Sequence, residues 1–227
     1  MKTTRSAVLC DFDGTVTNQD VTDEILKNFA PKTWTNVGEK YLEGKISHME
    51  MNRQFARIIS VTPAQLRHFL KSKITLRDGF RAFARRLSKK DIPLVIVSSG
   101  WDFYIREILG DKKIFFLADN KDLVKIDSEQ INIISNKIRF NKQSQRWELI
   151  FPWQKYSCNI SSPCKGKIRD LVKKLFYGRI VSIGDSRTDV CMLEKSDKLY
   201  STGELSLICD SKGFTHQDFT SFEEVGF

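Results

Sequence analysis

The first strongly apolar segment of the chain, residues 6–10, ends abruptly at two aspartates. Asp11 and Asp13 are separated by a phenylalanine and followed by Gly14 and Thr15. A buried parallel strand that runs into a polar loop has this pattern. The segment therefore predicts an α/β fold in which side chains at the carboxyl end of a strand are available for chemistry.

The rest of the chain repeats the order of apolar strand, polar loop and helix. Short apolar runs predict further strands at 93–97, 114–117 and 179–183. Helical patterns occupy 79–90, 103–109, 165–176 and 187–194. Such alternation predicts a doubly wound, Rossmann-like parallel sheet with helices on both faces.

Two regions depart from this alternation. Residues 20–71 have helical spacing throughout, which predicts a small helical bundle inserted after the first strand. We therefore expect an α/β core formed by residues 1–16 and 79–227, and a helical cap domain formed by residues 17–78.

The second departure is the mostly polar stretch 119–157. Two β-rich runs within it, 123–126 and 130–134, predict a hairpin.

Reactive side chains stand at the ends of three predicted strands. They are Asp11 and Asp13, then Ser98, then Asp185 and Asp189. In an open parallel sheet these ends meet in one crevice, where ligands bind. Carboxylates gathered there repel one another without a cation, and Mg²⁺ is the hard, oxygen-binding ion that suits them. Each aspartate alone could instead cap a helix, but chance is a poor explanation for the whole set.

The formal net charge of +9 suits small phosphorylated substrates or nucleic acid, because both are attracted over long range. The basic residues are spread along the chain, and the aromatic residues form no RNA-stacking motif, so nucleic acid is the less favoured partner. No apolar stretch approaches the roughly 18 residues of a membrane helix, and we read no export signal. We expect a cytoplasmic protein with no membrane partner.

The cysteines are scattered along the chain, at Cys10, Cys158, Cys164, Cys191 and Cys209. An odd number without a secretory signal favours reduced thiols. Cys158 and Cys164 are close enough to bridge or share a metal, but their spacing is unlike a zinc knuckle and no nearby histidine completes a set. We expect ordinary thiols there.

Four segments resemble motifs of the haloacid-dehalogenase superfamily. Residues 11–15, DFDGT, match its first motif, DxDGT. Residues 97–100, 165–167 and 184–189 look like its second, third and fourth motifs, in the same order and at agreeing separations. The resemblance implies a phosphomonoester hydrolase fold over essentially the entire chain.

The helical insert is similar to the cap of the phosphoserine phosphatase branch of that family. Within the branch, residues 28–34 (NFAPKTW) and 100–103 (GWDF) look most like the methionine-salvage phosphatases. Those enzymes act on 2-hydroxy-3-keto-5-methylthiopentenyl-1-phosphate. Phosphoserine is the alternative substrate that the resemblance implies.

The resemblance also implies roles for the first motif. Asp11 is expected to attack phosphorus and carry a transient phosphoryl group. Asp13 is expected to protonate the leaving oxygen and then deprotonate the attacking water. Mg²⁺ is expected to bind Asp11, the backbone carbonyl of Asp13, and Asp185.

The later motifs supply the groups that hold phosphate. Ser98, the backbone amide of Ser99, and Lys165 are expected to contact the phosphoryl oxygens, and Asp189 to anchor Lys165 or a metal-bound water. Ser98 could instead cap the following helix. Lys167 competes with Lys165, but the family motif places its lysine before a glycine at the start of a helix.

Substrate selection is expected to depend on the cap. Phosphoserine phosphatases are expected to bind the amino group with an acidic residue, a position Asp20 can fill, and the carboxylate with a cap arginine. Phe55 stands at the arginine position, and Arg53 and Arg57 are each rotated roughly 200° from it on a helix. This departure counts against phosphoserine.

Four aromatic side chains, Phe29, Trp34, Phe55 and Trp101, indicate an apolar lining above the phosphate. Phe29 and Phe55 could instead simply pack the core of the cap, which is the commoner outcome for aromatic residues at helical spacing. The sequence leaves two functions of other classes open: a nucleic-acid-binding protein, and a scaffold without activity. The complete set of acidic and basic groups argues against the scaffold.

Overall fold

The computed structural model describes residues 6–110, 113–176, 178–193 and 195–226. The described residues form an eight-stranded sheet. Its strands are β1 (Ala7–Cys10), β2 (Leu94–Trp101), β3 (Ile114–Phe116), β4 (Ile131–Asn141), β5 (Arg146–Ile150), β6 (Ile180–Gly184), β7 (Lys198–Ser201) and β8 (Gln217–Asp218). The strand order is β3-β4-β2-β1-β6-β7-β8, and all of these neighbours are parallel. β5 pairs antiparallel with β4.

Nine α-helices connect or flank these strands in the described residues. They are α1 (Val21–Phe29), α2 (Thr35–Leu42), α3 (His48–Ile58), α4 (Pro63–Lys73), α5 (Phe80–Lys89), α6 (Asp102–Leu109), α7 (Lys165–Phe176), α8 (Val190–Leu193) and α9 (Gly203–Lys212). The predicted helix at 187–194 is instead a 3₁₀ turn, Arg187–Asp189, followed by the short α8, and residue 194 lies outside the described residues.

Alternating side chains of the central strand β1 enter two separate cores. Val8 and Cys10 pack in the core that contains α5 and α6. Ala7 and Leu9 pack in the core that contains α7. Successive side chains of a strand point to opposite faces, so the sheet is covered by helices on both sides. The predicted doubly wound α/β fold is confirmed.

The predicted hairpin of 123–126 with 130–134 is wrong. Residues Asn120–Lys125 form a 3₁₀ helix; the side chains of Leu123 in this helix and of Ile126 directly after it are buried in the core that contains α7. Residues 131–134 begin β4, which lies between β2 and β3 in the sheet, parallel to both. The actual hairpin is formed by β4 and β5.

Helices α1 to α4 all lie between β1 and α5 in the sequence. The two chain segments that lead into and out of this helical group run side by side, because Thr17 and Leu76 form an antiparallel bridge. Next to this bridge, the guanidinium of Arg77 donates to the carbonyl oxygens of Thr15, at 2.8 Å, and Gly14, at 2.5 Å. The two segments that connect the helical group α1–α4 to the rest of the chain are therefore held together close to the end of β1.

Among the described residues, no helix is long and apolar enough to cross a membrane.

Candidate active site

Asp11 follows β1 directly and is almost fully buried, with 4% of its surface exposed. Its Oδ1 accepts a hydrogen bond of 2.7 Å from the backbone amide of Phe12. Its Oδ2 lies 2.7 Å from the ammonium nitrogen of Lys165. Burial and the charge of Asp189 raise the pKa of Asp11 to about 7, although Lys165 acts in the opposite direction. The carboxylate is thus held in one orientation. The single ammonium group of Lys165 does not fully offset the effects of burial and of the charge of Asp189 on its pKa.

Lys165 is the first residue of α7, and only 1% of its side chain is exposed. Its ammonium contacts Asp11, Asp189 at 2.6 Å and the hydroxyl of Thr188 at 3.0 Å. Burial acts to lower its pKa, but the charges of Asp11 and Asp189 outweigh burial and raise the pKa above its usual range. Lys165 is therefore a fixed positive charge. Its competitor Lys167 is exposed and donates to the carbonyl of Ser157 at 2.6 Å.

Asp189 uses both of its carboxylate oxygens inside the protein. Oδ1 pairs with Lys165, and Oδ2 accepts from the backbone amides of Asp185 and Ser186, each at 3.1 Å. The side chain is fully buried. Of the two roles expected for Asp189, the structure shows the contact with Lys165.

Asp185 stands at the end of β6, beside the first motif. Thr15 donates to its Oδ1 at 2.8 Å. The backbone of Gly14 approaches so closely that a Cβ there would lie 2.4 Å from Oδ2 of Asp185. Glycine is also suited to position 14 because φ is +73°.

Asp11, Asp185 and Asp189 each offer a carboxylate oxygen, and these oxygens lie within 4.8 Å of one another. Burial, together with the charges of Asp11 and Asp189, raises the pKa of Asp185 to about 9. A divalent cation bound between the oxygens of Asp11 and Asp185 would relieve this repulsion. The residues present therefore fit a Mg²⁺ ion.

Asp13 is half-buried and hydrogen-bonded at both oxygens. Its Oδ2 accepts from the hydroxyl of Tyr104 at 2.7 Å and from Ser98 at 3.2 Å, and its Oδ1 accepts from the amide of Val21 at 3.2 Å. Burial and the charges of Asp20 and Asp11 raise the pKa of Asp13 well above its usual range, although the hydrogen bond from Tyr104 lowers it. A carboxyl group in this position can carry a proton at neutral pH.

The two serines that follow Val97 point in different directions. Ser98 is fully buried; it donates to Asp13 and accepts from the amide of Gly100 at 2.9 Å. Ser99 lines the cavity above Asp11, and its buried hydroxyl has no hydrogen-bond partner among the described residues. A buried hydroxyl without a partner is unfavourable, so Ser99 is suited to bind an oxygen of a ligand.

A cavity of about 170 Å³ lies over these groups. Asp11, Asp13, Ser99 and Lys165 form its lower side. Side chains of α1, α2 and α3 close it from above, and they are Thr22, Tyr41, His48, Met51, Asn52 and Phe55. A larger cavity of about 460 Å³ beside α5 is lined by none of the predicted site residues.

The structure brings two of the five predicted substrate-pocket residues to this cavity. Asp20 and Phe55 line it. Phe29, Trp34 and Trp101 do not line it: Phe29 and Trp34 pack edge-on against other aromatic rings, and Trp101 is fully buried. These three aromatic side chains belong to the packing around the site.

Several residues at the site escaped the sequence analysis. Tyr104 is the most important, because its hydroxyl binds Asp13 directly. The second is His48, which is 4% exposed and packs edge-on against Tyr41. Burial and the positive charge of Lys165 lower the pKa of His48 to about 4, so it is neutral near pH 7. Their signal in the sequence is weak, because each is one polar residue within an amphipathic helix.

Comparison with known proteins agrees with this arrangement. Residues 8–120 match the family model described as haloacid dehalogenase-like hydrolase. A phosphatase of Geobacillus thermodenitrificans, named for 2-hydroxy-3-keto-5-methylthiopentenyl-1-phosphate, is 30% identical over 223 residues, which cover 96% of this chain and 92% of that protein.

The chain belongs to the haloacid dehalogenase-like hydrolase family.

Other similar proteins extend the comparison over the whole chain. An Exiguobacterium protein with the same name is 28% identical over 96% of this chain and 94% of its own. Among solved structures, a phosphoserine phosphatase with a phospho-aspartyl intermediate analogue has a TM-score of 0.64 at 17% identity and covers 97% of this chain and 96% of its own. A substrate-bound phosphoserine phosphatase has a TM-score of 0.66 at 16% identity, over 99% and 97%. The prediction of a phosphatase of this family is confirmed.

Proposed function

We propose that this protein is a Mg²⁺-dependent phosphomonoester hydrolase that works through a phosphorylated Asp11. The observation that carries the proposal is the position of Lys165, which lies 2.7 Å from Asp11 at the floor of a cavity that Asp13 also lines. A nucleophile, a fixed positive charge and a protonatable carboxyl thus face the same space. These are the groups that transfer of a phosphoryl group to a carboxylate needs.

The residues of the chain divide the reaction into two steps. In the first, a carboxylate oxygen of Asp11 forms a bond to phosphorus, and the bond from phosphorus to the substrate oxygen breaks. Asp13 gives its proton to that leaving oxygen. In the second, Asp13 takes a proton from water, the water oxygen bonds to phosphorus, and Asp11 leaves as a carboxylate. Lys165 and the hydroxyl of Ser99 hold the phosphoryl oxygens throughout.

Mg²⁺ would be held by Asp11, Asp185 and the backbone carbonyl of Asp13. When bound, it reduces the electrostatic repulsion between the carboxylate of Asp11 and the negatively charged phosphate ester. Ser98 supports Asp13 by its hydrogen bond of 3.2 Å. Asp189 keeps Lys165 in place.

We also propose that residues 17–78 form a cap domain over a core of residues 1–16 and 79–227. The two chain segments that connect the cap to the core lie side by side, at the bridge between Thr17 and Leu76. Side chains of α1 to α3 line the cavity together with those of the core, and closure of the cap over substrate would exclude bulk water from phosphoryl transfer. Movement of the cap away from the core about these two connecting segments would admit substrate.

The substrate we propose is a small ester with an apolar tail, of the class of 2-hydroxy-3-keto-5-methylthiopentenyl-1-phosphate. The relatives that carry this name match the chain over nearly its whole length. Phe55 and Met51 present apolar surface inside the cavity. A thioether or similar group would pack there.

Phosphoserine is the weaker candidate, because no arginine lines the cavity in the described part of the chain. Arg53 points elsewhere: its guanidinium pairs with Glu50 at 3.4 Å and lies 5.0 Å above the ring of Phe151. Among the described residues that line the cavity, Lys165 is therefore the one cationic side chain a substrate carboxylate could meet, and it already pairs with Asp11 and Asp189. Asp20 and Asp23 would further repel the substrate carboxylate.

The test is phosphate release from a panel that includes the methylthio enol phosphate, phosphoserine and a simple aryl phosphate. We expect release with Mg²⁺, none with EDTA, none from Asp11→Asn, and the highest kcat/KM for the methylthio ester. Release that continues in Asp11→Asn would rule out the proposed nucleophile. Preference for phosphoserine would overturn the proposed substrate and leave the mechanism intact.

A further inference from the structure

Three cysteine side chains from two separate segments of the chain meet next to the candidate active site. Cys158 lies in the loop before α7, Cys164 immediately precedes α7, and Cys191 lies in α8. All three are free thiols. Their sulfur atoms lie within 4.8 Å of one another, and the sulfurs of Cys158 and Cys191 are 3.9 Å apart. The spacing of Cys158 and Cys164 predicted ordinary thiols there, because it is unlike a zinc knuckle and no nearby histidine completes a set. Cys191 joins them only in the fold.

The spacing of the sulfurs suits a shared metal ion. With Zn–S bonds of about 2.3 Å in a tetrahedron, two ligand sulfurs are roughly 3.8 Å apart. The distance between Cys158 and Cys191 is within a few tenths of an ångström of that value. A disulfide would require the sulfurs to approach to about 2.0 Å, and the third thiol would then be left over.

The backbone around the thiols is fixed by contacts that need no metal. The backbone amide of Cys158 donates to the carbonyl oxygen of Ser161 at 3.0 Å, and the backbone amide of Cys164 donates to the carbonyl oxygen of Tyr156 at 2.8 Å. Helices α7 and α8 approach closely because residue 166 is glycine; a Cβ there would lie 2.2 Å from the carbonyl oxygen of Cys191. The three thiols are therefore arranged in advance.

The cluster also has a face from which an ion can enter. Cys164 is buried, whereas Cys158 and Cys191 are half-buried. The hydroxyl of Ser161 lies 3.7 Å from the sulfur of Cys158. A fourth ligand can therefore come from this hydroxyl or from water, as in zinc sites with three protein ligands.

We propose that Cys158, Cys164 and Cys191 bind a thiophilic divalent cation of the Zn²⁺ class, at a site separate from the carboxylates. Soft thiolate ligands select such ions over Mg²⁺, which prefers oxygen. Binding replaces three S–H protons with three metal–sulfur bonds, and the protons leave to solvent. No oxidation is involved.

The position of this site links the metal to the groups around the cavity. Cys164 is bonded to Lys165, and Cys191 is two residues beyond Asp189. The loop between Cys158 and Cys164 accepts a hydrogen bond of 2.8 Å from Tyr41 of α2, at the carbonyl of Ile160. A metal bound by all three cysteines would join this loop to α8. It would thereby stabilise the loop that Tyr41 of α2 contacts.

The experiment titrates the whole 227-residue chain, purified with reductant and stripped of metal, first with Co²⁺ and then with Zn²⁺. Co²⁺ is the probe because its near-ultraviolet charge-transfer band requires thiolate ligands. We expect the band in wild type and in Asp11→Asn, its loss in Cys158→Ser and Cys191→Ser, and its retention in the control Cys209→Ser, whose thiol lies outside the cluster. Added Zn²⁺ should displace Co²⁺ and raise Tm, but not in the cluster variants.

The proposal is overturned if wild-type protein with titratable free thiols shows no charge-transfer band, or if the band survives in both cluster variants. A disulfide found by intact mass under reducing conditions would also overturn it. If the serine variants do not fold, the wild-type titration decides. Because Asp11→Asn keeps the thiol site, failure here is distinguishable from failure of the phosphatase proposal.

Discussion

The ammonium of Lys165 lies between two buried carboxylates, 2.7 Å from Asp11 and 2.6 Å from Asp189. With 1% of its side chain exposed, it is the positive charge that allows these acidic groups to be buried together. The same contact places the lysine where a phosphoryl group on Asp11 would need it. Stability and chemistry at this site therefore depend on one side chain.

Replacing Lys165 with methionine should both destabilise the protein and abolish turnover. The change leaves Asp11 and Asp189 without their cation, and breaking such a buried pair costs about 3–5 kcal/mol. Chemical denaturation and phosphate release measure the two effects. The matched control is Lys167→Met, at an exposed lysine of the same helix turn, which should change neither by much. Equal losses in both variants would contradict the assignment.

Without metal, the protein should lose stability as pH rises. Burial and the charge of Asp189 raise the pKa of Asp11 to about 7, and burial with the charges of Asp11 and Asp189 raises the pKa of Asp185 to about 9. Folding therefore favours their protonated forms, and this contribution is complete below about pH 4 and is lost as pH rises to about 9. Because Mg²⁺ replaces those protons, the Tm difference between Mg²⁺ and EDTA should grow over the same range.

The control for this pH effect is Asp185→Asn, which removes one repelling charge and one metal ligand. Its Tm in EDTA should exceed that of wild type at about pH 9, by the few degrees that about 1 kcal/mol represents. Mg²⁺ should add little to it. A Tm of wild type that is independent of pH in EDTA would contradict the repulsion described.

Tyr104→Phe should lower kcat about tenfold. The variant keeps the ring contacts of Tyr104 with Phe12 and Trp101 but loses its 2.7 Å hydrogen bond to Asp13, which represents about 1.4 kcal/mol in a favourable case. That bond lowers the pKa of Asp13 against the effect of burial. Its loss should therefore raise that pKa and shift the limb of the kcat–pH profile that reports Asp13 to higher pH.

The matched control for Tyr104 is Tyr200→Phe. Tyr200 also loses a hydroxyl hydrogen bond, here of 2.9 Å to Gly226, but does not line the cavity. It should leave kcat and the pH profile unchanged. An unshifted profile in Tyr104→Phe would mean that the hydroxyl does not act through Asp13.

Phe55→Arg should shift the substrate preference. Phe55 is 5% exposed, lines the cavity and packs edge-on against Trp34. An arginine there supplies the cation that a substrate carboxylate lacks in the described cavity. We expect kcat/KM for the methylthio ester to fall. The ratio of kcat/KM for phosphoserine to kcat/KM for the methylthio ester should rise by at least about tenfold. Phe55→Leu controls for lost volume and should lower both without raising that ratio.

Much of the fold could be predicted because the sheet is built from local patterns. The strand β1 and its two aspartates are adjacent in the sequence, so both the element and its chemistry are visible there. Gly184 and Asp185 repeat the pattern at the end of β6. The convergence of these loops then follows from the parallel sheet itself.

The failures concern long-range contacts. The apolar residues Leu123 and Ile126 resemble a strand, but they are apolar because a 3₁₀ helix packs them under α7. Tyr104 could not be distinguished from a core aromatic, because its bond to Asp13 joins residues 91 positions apart. Cys191 joins Cys158 across 33 positions for the same reason.

The most direct measurement of the proposed chemistry is capture of the phosphorylated enzyme. Wild-type protein turning over an aryl phosphate with Mg²⁺ is quenched and treated with borohydride, which reduces an acyl phosphate of aspartate to homoserine. Peptide mass spectrometry then locates the reduced residue. We expect homoserine at position 11, dependent on substrate, and none in EDTA. Phosphate release at full rate with residue 11 unmodified, or with homoserine at another aspartate, would contradict Asp11 as the nucleophile.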